Sequence, residues 1–199
     1  KESFIIDDTF QCRVLIGAGG THCPAAKTFF NKKGQPPTSA LICAVESEYK
    51  ISDTRKDCHI WFFNHQLPGY AWYLPKKGGW LNLGIGGKFS RLKQQGKTIM
   101  DHWRLFIKEL KKQSFITQNP TPPKGHVYYL HHQKQSRYPK NVYIIGDAQG
   151  LSTRDMGEGI HAAVKSGIAA ADAIIHKKPL NMSRISRFSL PGILFPNMS

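Results

Sequence analysis

The segment from Asn141 to His176 constrains the fold more than any other part of the chain. It opens on the apolar run 142–145, which stops at Gly146-Asp147, and a short apolar run closed by glycine is typical of a buried strand. A glycine-rich loop follows, and a helical pattern begins near Gly157. A strand, a loop and a helix in this order direct the free amides of the helix N-terminus over the carboxyl end of the strand. Such a site attracts anions and electron-rich rings.

The predicted helix combines large and small apolar residues. The larger ones recur at steps of three and four residues, which indicates one apolar face; these are Ile160, Val164, Ile168, Ala171, Ile174 and Ile175. Small residues lie between them and let a helix pack closely on a sheet; these are Ala162, Ala163, Gly167, Ala169, Ala170 and Ala173. Pro179 is expected to end the helix after a basic last turn.

This string resembles the second flavin-binding motif of the geranylgeranyl reductase family, within the flavoproteins related to p-hydroxybenzoate hydroxylase. That class shows a strand, Gly-Asp-Ala, a variable loop, Gly-Glu-Gly-Ile and an Ala-rich helix. The resemblance implies bound FAD, with the Asp147 carboxylate accepting a hydrogen bond from a ribityl hydroxyl and the amides of residues 157–160 near flavin N1 and O2. The cofactor residues it implies here are Gly146, Asp147, Ala148, Gly157, Glu158, Gly159 and Ile160. Arg154 departs from the pattern, because many relatives have proline there.

A second glycine-rich turn lies upstream. Residues 12–16 predict a strand, which ends in Gly17-Ala18-Gly19-Gly20. The turn resembles the family's third cofactor motif, Gly-Ala-Asp-Gly-x-x-Ser, and the matching Gly17, Ala18 and Gly20 are implied FAD contacts. Gly19 stands in the place of the aspartate and Cys23 in the place of the serine. In some relatives that aspartate also helps to hold the reduced nicotinamide. NAD(P)H is therefore the expected electron donor, although glycine replaces the aspartate in this chain.

Between these motifs the pattern changes to short strands, from about Thr38. The predicted strands are 40–45, 59–63, 70–74, 81–85 and 127–130, with one helix over 98–112. This predicts a mixed α/β fold, in which an antiparallel sheet is inserted into the later part of a Rossmann-like FAD-binding domain. The predicted domains are 1–37 and 131–180 for the two pieces of the FAD-binding domain, 38–130 for the substrate domain and 181–199 for a C-terminal tail.

The stretch from Pro68 to Gly87 carries a third motif. It resembles the Tyr-x-Trp-x-Phe-Pro…Gly-x-Gly signature of prenyl reductases in the same family, in which this strand pair lines a cavity for an isoprenoid chain. The implied substrate-binding residues are Tyr70, Trp72, Pro75, Gly84 and Gly86, with Leu74 in place of the usual Phe. Aromatic rings suit an apolar wall against a lipid tail. An equally weighted alternative is that Tyr70, Trp72 and Trp80 form the core of a hairpin closed by residues 77–79.

No segment matches the G-x-G-x-x-G cradle with which a complete member of the class begins. Residues 84–87 follow a strand but open no Ala-rich helix and lack an acidic residue about 20 positions on, so they are predicted to form a hairpin loop. The resemblance covers nearly the whole chain but only the later part of the family pattern. The expectation is that the first part is missing or supplied by another chain.

The formal net charge of +15 suggests anionic partners. The lysines occur as separated pairs without interleaved aromatics, so no nucleic-acid binding is expected, whereas peripheral contact with an anionic membrane is kept as a hypothesis. The cysteines show no paired spacing and predict reduced thiols in a cytoplasmic protein. No metal-ligand set is seen. No apolar run approaches the roughly 18–20 residues of a membrane span. The sequence indicates no oligomeric state.

The leading functional hypothesis is an FAD-dependent oxidoreductase that reduces double bonds of an isoprenoid or lipid substrate through hydride transfer from the flavin. The sequence identifies no catalytic residue, and Cys23, His22 and Tyr70 are proton-donor candidates by residue type alone. The alternatives are a flavin monooxygenase or halogenase acting on an aromatic substrate, and a basic binding module that has kept the fold without its chemistry. A third alternative is a non-functional remnant of a truncated gene.

Overall fold

The computed structural model describes residues 3–29, 37–52, 55–132 and 139–189. The strands within these residues are β1 (Phe4–Ile6), β2 (Phe10–Cys12), β3 (Leu15–Gly17), β4 (Leu41–Lys50), β5 (His59–Phe62), β6 (Gly69–Lys76), β7 (Trp80–Lys88), β8 (Lys124–Tyr129) and β9 (Val142–Ile144). The α-helices are α1 (Pro24–Phe29), α2 (Phe89–Gln94), α3 (Ile99–Lys112) and α4 (Ile160–Ile175).

The chain divides into two compact units. The first unit comprises Lys1–Ala40 and Tyr128–Ser199, and the second comprises Leu41–Val127. The second unit is thus an insertion between two segments of the first. The domain boundaries given above remain predictions.

A parallel strand pair organises the first unit. β3 pairs with β9 in parallel, with Leu15 opposite Val142 and Gly17 opposite Ile144. The strand predicted over residues 12–16 is broken, because Cys12 pairs with Phe4 in the antiparallel β1–β2 ladder and Leu15 pairs with β9. The chain must change direction between the two sheets. Residues around the pair form a small buried cluster, which includes Cys23, Ala26, Val142, Ile144 and Ala148.

Helix α4 packs through its small residues. Ala162, Ser166, Ala170 and Ala173 are buried, as the small-residue pattern predicts for close packing. The larger residues lie on the other side and are exposed within the described structure: Ile160 is 80% exposed, Ile168 65% and Ile175 71%. A contiguous exposed apolar stripe is unusual on a surface helix. The side chains that fix α4 in the first unit are therefore the alanines and Ser166.

The second unit carries a five-stranded sheet in the order β5-β6-β7-β4-β8. The ladders β5–β6, β6–β7 and β7–β4 are antiparallel. One face of the sheet packs on α3 in a core that includes Val45, Tyr73, Leu83, Ile85, Trp103, Phe106 and Leu110. The predicted strands are present with shifted ends, and the inserted antiparallel sheet is confirmed. The hairpin loop predicted at residues 84–87 is wrong, because β7 runs through them.

The predicted helix over 98–112 begins one residue later and is capped by its first predicted residue. Thr98 Oγ1 accepts a hydrogen bond from the Asp101 amide at 3.2 Å, and the Thr98 amide donates to Asp101 Oδ2 at 2.8 Å. This reciprocal capping box satisfies two amides that a helix N-terminus otherwise leaves free. Within the described residues, no helix is long and apolar enough to cross a membrane.

His102 on α3 predicts how the stability of the second unit depends on pH. Its ring is 3% exposed, and both ring nitrogens are buried without a hydrogen-bond partner in the described structure. Burial is the main cause that lowers the pKa of His102 below its usual 6.5; Lys97 and His65 lower it further, and Asp101 opposes them. The unfolded chain therefore binds more protons than the folded chain below about pH 6.5, so stability is present above this pH and lost as the pH falls.

We expect His102→Leu to remove this loss, because leucine buries no titratable group. Urea unfolding at pH 7.5 and pH 5.0 measures it, with about 1.4 kcal/mol lost for each unit by which the pKa is lowered. His126→Gln, at an exposed position of β8, is the control and should keep the wild-type pH dependence. Equal pH dependence in His102→Leu and wild type would contradict the assignment.

Candidate flavin site and ligand face

The structure brings the two predicted cofactor turns together. Because β3 and β9 run in parallel, their carboxyl ends lie at the same edge of the pair. The turn Gly20–His22 follows β3, the turn Gly146–Ala148 follows β9, and the two turns contact each other. In open α/β sheets this edge is where ligands bind.

Asp147 stands at the centre of this edge. Its Oδ1 accepts a hydrogen bond from Ser152 Oγ at 2.6 Å, and Oδ2 has no hydrogen-bond partner in the part of the chain that the structure describes. A Cβ atom at Gly159 would lie 3.0 Å from Asp147 Oδ1, so glycine lets the start of α4 come close to the carboxylate. Asp147 is half-buried. One of its oxygens is thus fixed by the protein and the other can accept a ligand's hydroxyl.

Ser166 ties the end of β9 to α4. The Gly146 amide donates to Ser166 Oγ at 3.0 Å, and this hydroxyl donates to the Ala163 carbonyl at 3.0 Å. Gly146 has a φ of +59°, a conformation that favours glycine. The sequence analysis assigned no role to Ser166 or to Ser152. The pairing of a loop serine with Asp147 depends on the loop conformation, which no local pattern reveals.

The N-terminus of α4 has fewer available amides than the resemblance implied. Of residues 157–160, the Gly157 amide donates to the Thr153 carbonyl at 3.0 Å and the Glu158 amide donates to Thr153 Oγ1 at 3.0 Å. Both are therefore occupied within the loop. The Glu158 carboxylate is also occupied within this segment, because its Oε1 accepts a hydrogen bond from the His161 amide at 2.7 Å.

The remaining amides form a small positive site. Gly159 caps α4 without a side chain, and the amides of Gly159, Ile160 and Ala162 make no hydrogen bond within the described residues. Free amides at a helix N-terminus carry partial positive charge and attract negative charge. Gly159, the first of these residues, lies beside Asp147. The edge therefore offers a hydrogen-bond acceptor next to a set of donors.

The upstream turn is shaped by close packing. A Cβ atom at Gly17 would lie 2.5 Å from Ile144 Cδ1, so any side chain there would force the buried Ile144 side chain to shift. Gly20 has a φ of +66° and open space around it. Cys23 is 2% exposed and packs in the buried cluster, where it lies near Gly17. A thiol so placed is a core residue of this turn.

In the second unit, four of the five predicted substrate residues share one sheet face. Gly84 pairs with Trp72, and Gly86 pairs with Tyr70. This face, which we call the aromatic face, lies opposite α3, because side chains alternate along each strand. Tyr70 and Trp72 are half-buried, and neither belongs to the core cluster. The alternative that these two rings form a hairpin core is therefore not supported.

Pro75 lies on the other face. It is three residues after Trp72 in the same strand and pairs with Leu81, a fully buried core residue. Trp80 is also outside the core: it is 40% exposed and Lys50 Nζ lies 5.7 Å from its ring. Ring contacts extend the aromatic face toward β5. The ring centroids of Phe62 and Tyr70 are 5.8 Å apart, and those of Tyr70 and Trp72 are also 5.8 Å apart.

Comparisons with known proteins identify relatives of this chain. No protein-family model matches the sequence. An uncharacterised protein of Methanosarcina barkeri is 30% identical over 169 residues, which cover 83% of this chain and 40% of that protein. Digeranylgeranylglycerophospholipid reductase 2 of Methanosphaera stadtmanae is 29% identical over 147 residues, covering 66% of this chain and 35% of the relative. The chain thus spans about 40% or less of the length of these relatives.

Solved structures share the fold. A geranylgeranyl bacteriochlorophyll reductase-like protein from Thermoplasma acidophilum aligns with a TM-score of 0.67 at 19% identity, over 84% of this chain and 43% of that chain. A flavin-dependent brominase aligns with a TM-score of 0.65 at 18% identity, over 84% of this chain and 45% of that one. These likenesses show the fold, a flavoprotein α/β fold with an inserted sheet, as predicted. Several sequence relatives are named digeranylgeranylglycerophospholipid reductases, so this chain, with the motifs of both units, is similar to the geranylgeranyl reductase family.

Proposed function

We propose that this protein is an FAD-dependent oxidoreductase that reduces double bonds of an isoprenoid or lipid substrate. One observation carries the cofactor assignment: two glycine-rich turns meet at the carboxyl edge of a parallel strand pair, where the Asp147 carboxylate stands beside the free amides of α4. Bound FAD supplies the hydride chemistry that such a protein needs.

The residues fit a flavin in chemical terms. Asp147 Oδ2 is the acceptor for a ribityl hydroxyl, while Ser152 holds the other oxygen. The amides of Gly159 and Ile160 are the donors for the electron-rich edge of the isoalloxazine ring, and their positive charge favours a reduced, anionic ring by about 0.3–1 kcal/mol. Gly17, Ala18 and Gly20 line the neighbouring turn, with Gly146, Ala148, Gly157 and Glu158 forming the backbone frame. Ser166 keeps this frame attached to α4.

The substrate assignment rests on the aromatic face and on the relatives. Tyr70 and Trp72 present apolar surface beside Gly84 and Gly86, and sequence relatives are named as digeranylgeranylglycerophospholipid reductases. An isoprenoid chain matches such a surface, because flexible apolar chains pack on aromatic rings. NAD(P)H is the proposed electron donor. Peripheral contact with an anionic membrane is the proposed use of the net positive charge.

Asp147→Ala tests the cofactor site. We expect FAD affinity to fall about 10- to 100-fold, because a hydrogen bond to a charged group contributes about 1.5–3 kcal/mol. The measurement is a titration of flavin fluorescence with protein, together with the visible absorption of protein desalted after incubation with excess FAD. Asp172→Ala is the matched control, since Asp172 lies at the far end of α4 and pairs with Lys178 and His176.

The control should bind FAD as wild type does. Equal affinity of Asp147→Ala and wild type contradicts the cofactor assignment of Asp147. No flavin binding by the wild-type chain would mean that the G-x-G-x-x-G part of the family pattern is needed as well. Product analysis with and without oxygen then separates reduction of a prenyl substrate, which needs no oxygen, from monooxygenase or halogenase chemistry.

A further inference from the structure

A buried asparagine links the aromatic face to a pair of carboxylates. Asn82 on β7 is 7% exposed. Its Oδ1 accepts a hydrogen bond from Trp72 Nε1 at 2.7 Å, and its Nδ2 lies 3.3 Å from an oxygen of Glu46 and 3.3 Å from an oxygen of Glu48. Sequence reasoning assigned no role to Asn82. It is the one polar side chain in the run from Trp80 to Ile85, and strand alternation places it on the same face as Trp72.

The chemistry of the partners fixes which way the amide points. An indole N–H can only donate, and an ionised carboxylate can only accept. Asn82 must therefore turn its oxygen to Trp72 and its NH₂ group to Glu46 and Glu48. Glu48 also pairs with Lys76, and the hydrogen bond from Lys76 is the main cause that lowers its pKa below the usual range, with Asn82 contributing. The Glu48 carboxylate is thus ionised at neutral pH, and the amide has one orientation.

The indole held in this way lies directly over Gly84. A Cβ atom at Gly84 would be 1.9 Å from Trp72 Cζ2 and 2.2 Å from Cε2, so any side chain there would displace the ring. A Cβ atom built at the neighbouring Gly86 would make only ordinary contacts, at 3.8 Å from Ala44 Cβ and 3.9 Å from Ile42 Cγ2 and Trp72 Cζ3. A flat aromatic wall thus stands beside a floor of small and aliphatic residues.

We propose that Asn82 is a positioning residue, which fixes the Trp72 indole as one wall of an elongated apolar ligand site on the aromatic face. The ligand class rests on the proposed function: a branched, unsaturated isoprenoid chain lies against the side of the Trp72 indole that faces away from Gly84, and the buried Ile42, Ala44, Gly84 and Gly86 support the ring from below. Asn82 acts only through Trp72. The Glu46–Glu48 end of the network closes the site to anions, so an anionic headgroup lies away from that end.

The test combines Asn82→Leu with Trp72→Phe, a variant that keeps a ring and loses the indole N–H. Geranylgeraniol is the probe, titrated in detergent below its critical micelle concentration and followed by isothermal calorimetry. We expect Asn82→Leu to weaken geranylgeraniol binding about tenfold and to weaken binding of straight-chain 1-eicosanol less, because a free ring no longer selects branched chains. In the Trp72→Phe background, Asn82→Leu should add less than a twofold change.

A spectroscopic readout follows the ring itself. In protein labelled with ¹⁵N-tryptophan, the Trp72 indole N–H signal, assigned by its loss in Trp72→Phe, should be protected from exchange in wild type and exchange rapidly in Asn82→Leu. Asn82→Asp keeps an acceptor for the indole and should keep the signal, although it places a third carboxylate beside Glu46 and Glu48. This variant serves if Asn82→Leu fails to fold.

The outcomes separate the two levels of the argument. Unchanged geranylgeraniol selectivity and an unchanged Trp72 signal in Asn82→Leu overturn the positioning role. Additive effects of the two substitutions overturn it as well. If wild type does not bind geranylgeraniol while the Trp72 signal still depends on Asn82, the proposed substrate class is wrong, and the role of Asn82 in holding the ring stands.

Discussion

Gly69→Ala is expected to destabilise the second unit strongly. A Cβ atom at this position would lie 2.0 Å from the carbonyl oxygen of Gly86 and 2.9 Å from Gly87 Cα, and both are backbone atoms of β7. Gly69 pairs with Gly87 at the end of the β6–β7 ladder, so the two strands would have to separate there. Overpacking against a movable side chain costs about 1–3 kcal/mol. Against fixed backbone we expect a loss of about 3 kcal/mol or more.

The control is Gly125→Ala in the same unit. The atoms nearest to a Cβ at Gly125 are Val45 Cγ1 at 3.7 Å and the Ala44 carbonyl oxygen at 3.9 Å, which are ordinary contacts. This substitution should change the free energy of unfolding by no more than about 0.5 kcal/mol. Urea unfolding followed by circular dichroism and tryptophan fluorescence compares the two, and similar midpoints for both variants would show that the β6–β7 ladder yields at its end.

The two glycine-rich turns of the candidate flavin site could be predicted from the sequence because their patterns are local. In 142–147 and in 15–20, apolar runs end at glycines whose backbone must turn or approach another strand closely, and the structure places both turns at one sheet edge. The parallel pairing itself needed the resemblance, since three-residue strands carry no periodicity that fixes their partner. The same brevity explains the missed break between β2 and β3.

The glycines of β7 show where local reasoning fails. Residues 84–87 look like a loop because glycine usually marks a turn or bulge in a strand pattern. For Gly84 the actual reason is the Trp72 ring, twelve residues earlier in sequence and on the neighbouring strand. A close approach between side chain and backbone across a ladder leaves no trace within a short window. The position of Pro75 shows a related effect: the motif groups it with Trp72, but strand alternation puts it on the core face.

Which amides are free at the start of α4 could not be predicted from the sequence, for a third reason. Residues 157–160 match the motif as a string, but Thr153 accepts hydrogen bonds from two of their four amides. Which amides a loop uses for itself depends on its path, and a family pattern does not state it. Of the four amides that the motif implied, the structure thereby leaves those of Gly159 and Ile160 as candidate donors, and it adds the free amide of Ala162.

Gly157→Ala should carry a large cost in the first unit, because two separate effects add. Gly157 has a φ of +63°, which costs an L-residue about 1–2 kcal/mol. A Cβ atom there would also lie 2.5 Å from the Tyr128 hydroxyl oxygen and 3.2 Å from Cε2, and overpacking of this kind costs about 1–3 kcal/mol. We expect a total loss of about 2–5 kcal/mol and weaker FAD binding, since Gly157 shapes the loop that leads into α4.

Gly20→Ala isolates the first effect. Gly20 lies in the neighbouring turn with a φ of +66° and no atom within 4 Å of a Cβ, so this variant should lose only about 1–2 kcal/mol. The second effect is isolated in a Tyr128→Phe background, where Gly157→Ala should cost less because the hydroxyl is gone while the ring at 3.2–3.3 Å remains. Chemical denaturation of all four variants gives the comparison. If Gly157→Ala costs no more than Gly20→Ala, Tyr128 moves aside freely, and the backbone conformation alone makes glycine necessary at position 157.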